Sequence, residues 1–357
     1  MSAYYTAIVI MTSFMLLVMI IGTWNNFLVA RKRLLCFHGI FLILIILNWA
    51  EWGSVILRGS GNSNLVSLHY MIRFVEFVLT PCVPVLATYI FGRPKKIVFL
   101  LIIINVILQI IALFTPIVYT IDPMTNSYSR ATGYSLYICL FSIPSIVMFV
   151  CCIKFSRRYQ HRNFLLLLLI MVSTLSALAI SIMFSQLKLD WSIVSLTSVL
   201  FYAYILQMIL QTDSQTKLLN RQSYEYTKSI LNHPSTIVLF DIDYFKKLND
   251  SFGHSHGDLC LQVVSECIKR VFMGKAFCYR YGGDEIVVIS KKPLLNTKEL
   301  IDRVNLEIEK TDFNNIEPPT VSAGFSEFVP GNCSLQDAIN IADDMLYSEK
   351  EIKHSGK

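Results

Sequence analysis

The sequence predicts an α-helical membrane bundle followed by an α/β domain in which helices flank a central mixed sheet. Three observations lead to this prediction. The first 210 residues contain repeated long apolar stretches, and basic residues cluster in alternate connections between them. After residue 210, short β-prone runs alternate with helical patterns. We therefore expect a membrane region over residues 1–210 and a cytoplasmic domain over residues 211–357.

The composition agrees with a membrane protein. Hydrophobic residues make up 54% of the 357 residues, and the mean hydropathy is +0.52, which is too apolar for an ordinary soluble enzyme. Residues 1–210 hold 14 Lys and Arg against 4 acidic residues, whereas residues 211–357 hold 17 against 21. The net charge of +6 therefore comes from the membrane region, and we expect no nucleic-acid partner.

Seven apolar stretches approach the length of about 20 residues that a helix needs to cross a bilayer. The first basic residue is Arg31, so the first stretch lacks the basic start of a signal peptide and is expected to remain as a membrane helix. The predicted spans cover residues 4–25, 35–57, 68–91, 97–119, 133–153, 164–187 and 192–210. The lipid bilayer is thus a predicted partner of the chain.

Positive residues are unevenly divided between the two sides of this predicted bundle. The connections at 31–33, 93–96 and 154–162 contain ten Lys and Arg, whereas the other side has only Arg58, Arg130 and Lys188. Because connections rich in Lys and Arg stay in the cytoplasm, the N-terminus is predicted outside and residues 211–357 inside. This arrangement requires an odd number of spans, which seven satisfies.

Three ionisable residues fall in or near the predicted spans. They are Glu51, Arg73 and Glu76, and such residues are costly within a membrane and are often functional. Arg73 and Glu76 are three residues apart and share one helix face, so they can also pair with each other. Sensing of a ligand and structural pairing are both open interpretations.

The nine cysteines are expected to be free thiols. Five lie in or beside predicted spans, four lie in the cytoplasmic part, and no C-x-x-C spacing occurs. This distribution favours a reducing compartment and predicts neither disulfides nor zinc.

The cytoplasmic part alternates between helical and strand patterns. Strands that alternate with helices of 10–15 residues predict a sheet covered by helices, and the hairpin makes part of that sheet antiparallel. The predicted order is helix 221–231, strand 235–241, helix 257–271, hairpin 276–290, helix 297–310, strand 320–324 and helix 335–350.

A pair of glycines followed by two acids is the most informative motif in this part. Residues 280–286 read Arg-Tyr-Gly-Gly-Asp-Glu-Ile between two β-prone runs. Adjacent glycines favour a tight turn, so Asp284 and Glu285 are predicted at the tip of the hairpin. Earlier in the chain, an apolar run ends in Asp241 and Asp243. We expect Asp241, Asp284 and Glu285 to be neighbours at one edge of the sheet.

These segments belong to five blocks that resemble, in the same order, the GGDEF family of diguanylate cyclases. The first block, 213–221, is similar to the family's D-x-L-T-G-L-x-N-R. The second, 241–258, follows D-x-D-x-F-K-x-x-N-D-x-x-G-H-x-x-G-D without a break. The others are the hairpin, Val-Ser-Ala-Gly at 321–324, and a closing helix with Ala342, Asp343, Leu346, Tyr347 and Lys350. The resemblance covers the last 145 residues and implies a central sheet with helices on both faces.

The resemblance implies condensation of two GTP molecules into cyclic di-GMP with loss of two pyrophosphates. Such transfer depends on positioning and on divalent ions held by carboxylates, and the implied cofactor is Mg²⁺ or Mn²⁺. The implied metal ligands are Asp241, the carbonyl oxygen of Ile242, Asp284 and Glu285. Asp284 and Glu285 are also the implied catalytic residues, because either carboxylate can help to deprotonate the ribose 3′-hydroxyl.

The resemblance also implies a guanine site and a phosphate site. Asn249 and Asp258 match guanine-reading positions, because a carboxylate accepts from the base N1–H and N2 amine and an amide meets O6 and N7. Lys246 and the backbone amides of a turn at 244–246, which includes Phe245, are placed to meet the terminal phosphates. Lys350 matches a late lysine that neutralises phosphate charge.

Each catalytic half-site of this family is implied to hold one GTP, so we expect a homodimer. Together with the spans, the resemblance predicts a multi-pass protein of the bacterial plasma membrane. The helical region is expected to be a sensor of an unknown signal ligand or an anchor for the cytoplasmic domain.

Several departures from the family pattern leave an alternative function open, and His354 is the one that favours it. Gln215 and Lys217 replace Leu and Gly, Ile286 replaces Phe, and His354 replaces a phosphate-binding Arg. The slot expected to hold a product-binding R-x-x-D reads Met-Gly-Lys-Ala at 273–276. The alternative is a degenerate module that binds GTP without turnover and acts as a regulatory or docking protein.

Overall fold

The computed structural model of the chain forms two compact units, Met1–Gln207 and Met208–Lys357. The residues it describes are 2–58, 60, 62–92, 96–158, 167–173, 176, 190–311, 313 and 318–355. Each unit has a hydrophobic core of its own.

The described part of the N-terminal unit is mainly helical. A short 3₁₀ helix at Ser63–Leu65 precedes α3, and residues 167–173 are also helical. The helices are α1 (Ser2–Thr23), α2 (Arg31–Leu57), α3 (Val66–Leu79), α4 (Cys82–Phe91), α5 (Lys96–Phe114), α6 (Tyr134–Arg158) and α7 (Asp190–Leu210).

Six helical segments among the described residues are long and apolar enough to cross a membrane. One of them, Ser63–Phe91, combines α3 and α4, and the others are α1, α2, α5, α6 and α7. The predicted span at 164–187 lies largely outside the described residues, so the count of seven spans stays a prediction.

The predicted span 97–119 is wrong at its C-terminal end, because α5 ends at Phe114. Pro116 follows closely, and a proline disfavours the helical conformation of the residue before it. The chain then forms β1 (Tyr119–Ile121), which pairs antiparallel with β2 (Tyr128–Arg130). This small hairpin was not predicted from the sequence, because apolar periodicity does not separate a helix end from a short strand.

Two ionisable side chains of α3 pair with each other inside the N-terminal unit. Arg73 Nη1 lies 2.6 Å from Glu76 Oε2, and both residues are buried. The guanidinium of Arg73 also lies 4.3 Å from the ring centroid of Tyr128. The pairing interpretation is therefore confirmed, while ligand sensing stays a prediction. Glu51 is buried as well and accepts a hydrogen bond of 3.2 Å from the Tyr5 hydroxyl.

The C-terminal unit is an α/β domain with a four-stranded sheet. The strands lie in the order β4-β5-β3-β6. Its elements are α8 (Arg221–Ile230), β3 (Ser235–Ile242), α9 (Phe245–Phe252), α10 (His254–Phe272), β4 (Ala276–Gly282), β5 (Glu285–Ser290), α11 (Thr297–Glu309), β6 (Val321–Phe328) and α12 (Leu335–Ser355).

The sheet corrects the predicted mixed arrangement, because every pair of neighbouring strands is antiparallel. Strands β3 and β4 run in the same direction, as the helical crossover between them suggests, but β5 lies between them. In the same way, β3 separates the co-directional β5 and β6. The parallel pairing that remains among the described residues is an isolated bridge between Leu219 and Tyr279.

Helices cover both faces of this sheet, as predicted. Buried residues of β3 and β5 alternate between the faces, because successive strand side chains point in opposite directions. One face packs against α10 and α11, and the other packs against α8 and α12. The first core includes Val238, Phe240, Ile286, Val288, Val264 and Val304. The second includes Ile237, Val287, Ile289, Tyr224 and Ala338.

Asn220 links the end of α7 to the start of α8. Its Nδ2 donates a hydrogen bond of 2.7 Å to the carbonyl oxygen of Leu210, the last residue of α7. Its Oδ1 accepts a bond of 2.9 Å from the backbone N–H of Ser223, in the first turn of α8. Free carbonyls at a helix C-terminus and free N–H groups at an N-terminus both need such partners. One side chain therefore caps two helices.

Helix α12 packs directly on the backbone of β6 at Gly324. A Cβ atom on Gly324 would lie 1.9 Å from the carbonyl oxygen of Ala342 and 2.4 Å from the backbone nitrogen of Leu346. Both atoms belong to the backbone of α12, so a side chain at this position cannot be accommodated by a rotamer change.

Replacing Gly324 by alanine is therefore expected to separate α12 from the sheet. We expect Gly324→Ala to lower the free energy of unfolding of the C-terminal unit by at least about 3 kcal/mol. The measurement is labelling of the buried thiols Cys260, Cys267 and Cys278 of the full chain during a denaturant titration. Gly282→Ala is the control, because its Cβ would meet nothing within 4 Å. Equal midpoints for the two variants would contradict the close approach.

Candidate active site

The hairpin between β4 and β5 presents the two predicted catalytic acids. Gly282 pairs with Glu285, and Gly283 has φ +48°, a left-handed conformation that glycine adopts readily. Arg280 fixes the turn, because its Nε and Nη2 donate to the carbonyl oxygen of Gly283 at 3.1 and 2.9 Å. Asp284 is half-buried and Glu285 is exposed.

The strand register brings Asp241 to this turn. Phe240 of β3 pairs with Ile286 of β5 in an antiparallel register. Asp241 follows Phe240 in β3 and Glu285 precedes Ile286 in β5, so both acids lie at this end of the strand pair. The predicted convergence of these acids at one end of the sheet is thus present in the structure.

Crowding of the acids changes their proton affinity. Burial raises the pKa of Asp284, and the nearby charge of Asp241 raises it further. Partial desolvation by the surrounding turn also raises the pKa of Glu285, although much of its side chain is exposed, and the charges of Asp241 and Asp284 raise it further. The cluster therefore has more negative charge than its surroundings compensate, even though Lys350 Nζ lies 2.7 Å from Asp241 Oδ1.

The donor set fits a divalent cation of the hard type. Carboxylate and carbonyl oxygens are the ligands that Mg²⁺ and Mn²⁺ prefer, and the raised pKa values of Asp284 and Glu285 indicate a charge that a cation would relieve. Ile242, whose carbonyl is the fourth predicted ligand, is the last residue of β3. Within the described residues, no group of three or more His, Cys, Asp or Glu side chains has metal-binding geometry. Mg²⁺ keeps several waters and needs only one or two protein carboxylates.

The second acid of the β3 motif has a different environment, which the sequence analysis missed. Asp243 is buried and accepts hydrogen bonds of 2.6 Å from both Thr320 Oγ1 and Ser322 Oγ. Lys353 Nζ lies 3.5 Å from Asp243 Oδ2 and 2.8 Å from Glu349 Oε1. Lys353 also donates to the carbonyl oxygen of Val321 at 2.7 Å. This network ties α12 to the ends of β3 and β6, next to the lysine that contacts Asp241.

The predicted guanine-reading residues meet at the start of α10. A Cβ atom on Gly257 would lie 1.8 Å from Asn249 Oδ1, so the amide of Asn249 occupies the space that this glycine leaves. Asn249 is half-buried and the neighbouring Asp258 is exposed. Gln215, which the sequence analysis noted only as a departure, donates from Nε2 to Asp258 Oδ1. Gly257 is therefore needed for close packing as well as for its place in the motif.

The predicted turn at 244–246 is instead the start of a helix. Tyr244 has φ +55°, and α9 begins at the next residue, Phe245. The sequence analysis missed α9 because it has only eight residues, although Phe245 and Leu248 lie one turn apart and both pack on the core. Lys246 is exposed in the first turn of α9.

The segment before α8 is held by a hydrogen-bonded turn. Asp213 Oδ1 accepts hydrogen bonds of 2.8 Å from both the backbone nitrogen and the hydroxyl of Thr216. Arg280 Nη1 lies 3.1 Å from the same oxygen. Burial alone would raise the pKa of Asp213, but these hydrogen bonds and the charge of Arg280 outweigh it and lower the pKa. Arg280 therefore connects this segment with the turn that holds Asp284.

The profile described as "Diguanylate cyclase, GGDEF domain" matches residues 210–355. Residues 210–355 are a GGDEF domain. Three curated proteins illustrate the similarity. Diguanylate cyclase VdcA of Vibrio cholerae is 30% identical over 150 residues, which cover 39% of this chain and 44% of VdcA. Diguanylate cyclase DosC of Escherichia coli K12 is 29% identical over 149 residues, which cover 39% of this chain and 32% of DosC. Diguanylate cyclase DgcP of Escherichia coli K12 is 32% identical over 154 residues, which cover 40% of this chain and 45% of DgcP.

This chain therefore matches less than half the length of these curated relatives. Among solved structures, the GGDEF domain of DgcB from Caulobacter crescentus in complex with c-di-GMP is 28% identical. The matched region covers 40% of this chain and 90% of the DgcB domain, with a TM-score of 0.34. A longer DgcB structure with its coiled coil is 25% identical and covers 46% of this chain and 93% of its own, with a TM-score of 0.40.

Three of the departures noted in the sequence have defined positions in this GGDEF domain. Ile286 is buried in β5, so another apolar residue fills the place of Phe. The slot at 273–276 follows the end of α10, where Gly274 has φ +80° and Met273 is exposed. His354 lies in α12, and its side chain is outside the described part of the chain.

The contact between Lys353 and Asp243 is expected to stabilise the GGDEF domain. Lys353→Met should lower the free energy of unfolding by about 1–3 kcal/mol, because it leaves a buried carboxylate without its cation. Denaturant titration of the full chain, followed by labelling of the buried thiols, measures this change. The control is Lys247→Met, which alters an exposed lysine of α9. In an Asp243→Asn background the cost of Lys353→Met should shrink, and an equal cost in both backgrounds would contradict the pairing.

Proposed function

We propose that this chain is a membrane-bound diguanylate cyclase that condenses two GTP molecules into cyclic di-GMP and releases two pyrophosphates. The observation that supports it most is the convergence of Asp241, Asp284 and Glu285 at one end of the sheet, with Lys350 beside them. The similarity to three diguanylate cyclases over the GGDEF domain agrees with this proposal.

The proposed reaction forms a bond from a ribose 3′-oxygen to the α-phosphorus of the other nucleotide. The bond between the α- and β-phosphates breaks, and pyrophosphate leaves with its electron pair. Asp284 or Glu285 accepts the 3′-hydroxyl proton, a task for which a raised carboxyl pKa is suited. A bound Mg²⁺ or Mn²⁺ would neutralise phosphate charge, and Asp241, the Ile242 carbonyl, Asp284 and Glu285 would hold it.

The remaining predicted residues bind the substrate in this proposal. Asn249 and Asp258 read guanine, while Lys246, the N-terminus of α9 that begins at Phe245, and Lys350 meet the phosphates. Each GGDEF domain binds one GTP, so the product forms between two copies of the chain. A homodimer is therefore part of the proposal.

We also propose a multi-pass location in the bacterial plasma membrane with the N-terminus outside. The six long apolar helical segments among the described residues and the ten-to-three distribution of basic residues support this arrangement. The helices of residues 1–210 then form the input region over the cytoplasmic domain of residues 211–357. A signal ligand of unknown identity would act on that input region.

A second function, GTP binding without turnover, is favoured by one departure from the family pattern. His354 stands where that pattern has a phosphate-binding Arg, and an imidazole cannot make the bidentate, permanently charged contact of a guanidinium. In this alternative the domain is a regulatory or docking module.

The two functions differ in what the acids of the hairpin do. We expect Asp284→Ala and Glu285→Ala each to reduce cyclic di-GMP formation at least about 100-fold, because each removes a carboxylate on which charge neutralisation or proton transfer depends. The assay incubates the purified full chain with GTP and Mg²⁺ and quantifies cyclic di-GMP by chromatography. Glu327→Ala, an exposed carboxylate of β6, is the matched control. Near-normal synthesis by both hairpin variants would reject the assignment, and a wild-type protein that binds GTP without product would favour the second function.

The proposed orientation predicts opposite accessibility for two engineered cysteines. Asn62→Cys should react with a membrane-impermeant maleimide added to intact cells, whereas Lys96→Cys should react only after the membrane is opened. Labelling is compared with the parent chain, which contains nine native thiols. Reaction at position 96 but not at position 62 in intact cells would reverse the orientation.

A further inference from the structure

The side chain of Gln215 lies between an arginine and the predicted guanine-reading carboxylate. Its Oε1 accepts a hydrogen bond of 2.6 Å from Arg280 Nη1. Its Nε2 donates to Asp258 Oδ1. Both ends of the amide are therefore engaged, and its orientation follows from charge, because the oxygen faces the cation and the nitrogen faces the anion.

The backbone around Gln215 fixes this position. The backbone nitrogen of Gln215 donates to Asp213 Oδ1 at 3.2 Å, and Arg280 also contacts that oxygen. The turn is closed further by a bond of 2.8 Å from Asp213 N to the carbonyl oxygen of Leu218. Because the turn is fixed at both ends, Gln215 reaches Asp258 as a consequence of the local fold.

The contact involves the atom that guanine would use. A carboxylate binds the guanine N1–H and N2 amine with its two oxygens, side by side. In this structure one of those oxygens, Oδ1, already accepts from Gln215. The residue that the family pattern has at this position is leucine, whose side chain cannot donate a hydrogen bond.

We propose that Gln215 competes with guanine for Asp258 and so sets the affinity of this chain for GTP. This inference rests on the proposed function of Asp258 as the guanine-reading residue. In the free protein Gln215 occupies Oδ1, and the base displaces the amide when it binds. Displacement leaves the amide oxygen on Arg280, so the displaced side chain keeps one of its two partners.

Arg280 extends the effect of this competition. The same guanidinium that holds Gln215 and Asp213 also donates to the carbonyl oxygen of Gly283, in the turn before Asp284. Gln215 is five residues beyond the end of α7 at Leu210. A change in the segment after α7 therefore reaches the guanine-reading carboxylate through one hydrogen-bonded side chain. Gln215 is thus a residue that sets affinity and that joins this segment to Asp258 by hydrogen bonds.

The test measures binding of 3′-deoxy-GTP, which cannot condense because it lacks the attacking hydroxyl. The full chain is used in nanodiscs with Mg²⁺ present. Gln215→Leu removes both hydrogen bonds at similar size, and we expect it to lower the Kd about fivefold, the change that loss of one competing hydrogen bond produces. Gln222→Leu, which alters an exposed glutamine of α8, should leave the Kd unchanged.

A double-mutant cycle shows whether the effect passes through Asp258. Asp258→Ala alone should weaken binding, and adding Gln215→Leu to it should produce no further change. If Asp258→Ala weakens binding but Gln215→Leu leaves the Kd unchanged or raises it, competition is overturned and the guanine assignment stands. If Asp258→Ala leaves the Kd unchanged, the guanine assignment itself fails, and the competition fails with it.

Discussion

The concentration of negative charge at one end of the β3–β5 pair is the constraint on which the rest of the C-terminal unit depends. An antiparallel register sets Asp241 beside the hairpin acids, and burial makes their mutual repulsion stronger. Lys350 and Lys353, on successive turns of α12, compensate part of this charge. The helix can do so because it lies against β6 at Gly324, where no side chain separates the two backbones. Charge compensation and close packing therefore require each other.

In the N-terminal unit, by contrast, a few polar groups are surrounded by apolar helices and need polar partners. Arg73 and Glu76 pair within one turn, and the ring of Tyr128 covers the guanidinium. Asn48 of α2 donates to Ser195 of α7 at 3.0 Å. Hydrogen bonds are directional, whereas apolar contacts are not, so the bond between Asn48 and Ser195 specifies which faces of α2 and α7 meet.

The sequence was sufficient for features that depend on local pattern. The Gly282–Gly283 pair predicted the hairpin, the alternation of strand and helix patterns predicted a sheet covered by helices, and the ordered motifs predicted the GGDEF domain. The sequence was not sufficient to predict contacts between side chains that are far apart in the chain. Nothing in the pattern pairs Lys353 with Asp243, because two oppositely charged residues gain a specific partner only when the packing of α12 on β6 is known.

The short helix α9 and the order of the strands in the sheet were not predicted from the sequence, because both depend on packing between distant elements. Helix α9 has too few residues for a periodic signal, and it forms because Phe245 and Leu248 bury against a core built by other elements. The alternation of strands and helices predicted a mixed sheet, but it did not reveal which strands would be neighbours. That choice is decided by the hairpin, since β5 must remain hydrogen-bonded to β4 and still pairs with β3.

The shared cap at Asn220 makes two helix ends depend on one amide group. Its Nδ2 serves the carbonyl oxygen of Leu210, and its Oδ1 serves the backbone N–H of Ser223. Aspartate at this position would keep an oxygen for the start of α8, but it has no N–H to donate to the end of α7. Alanine would remove both contacts. A single position can therefore release the end of one helix without releasing the start of the next.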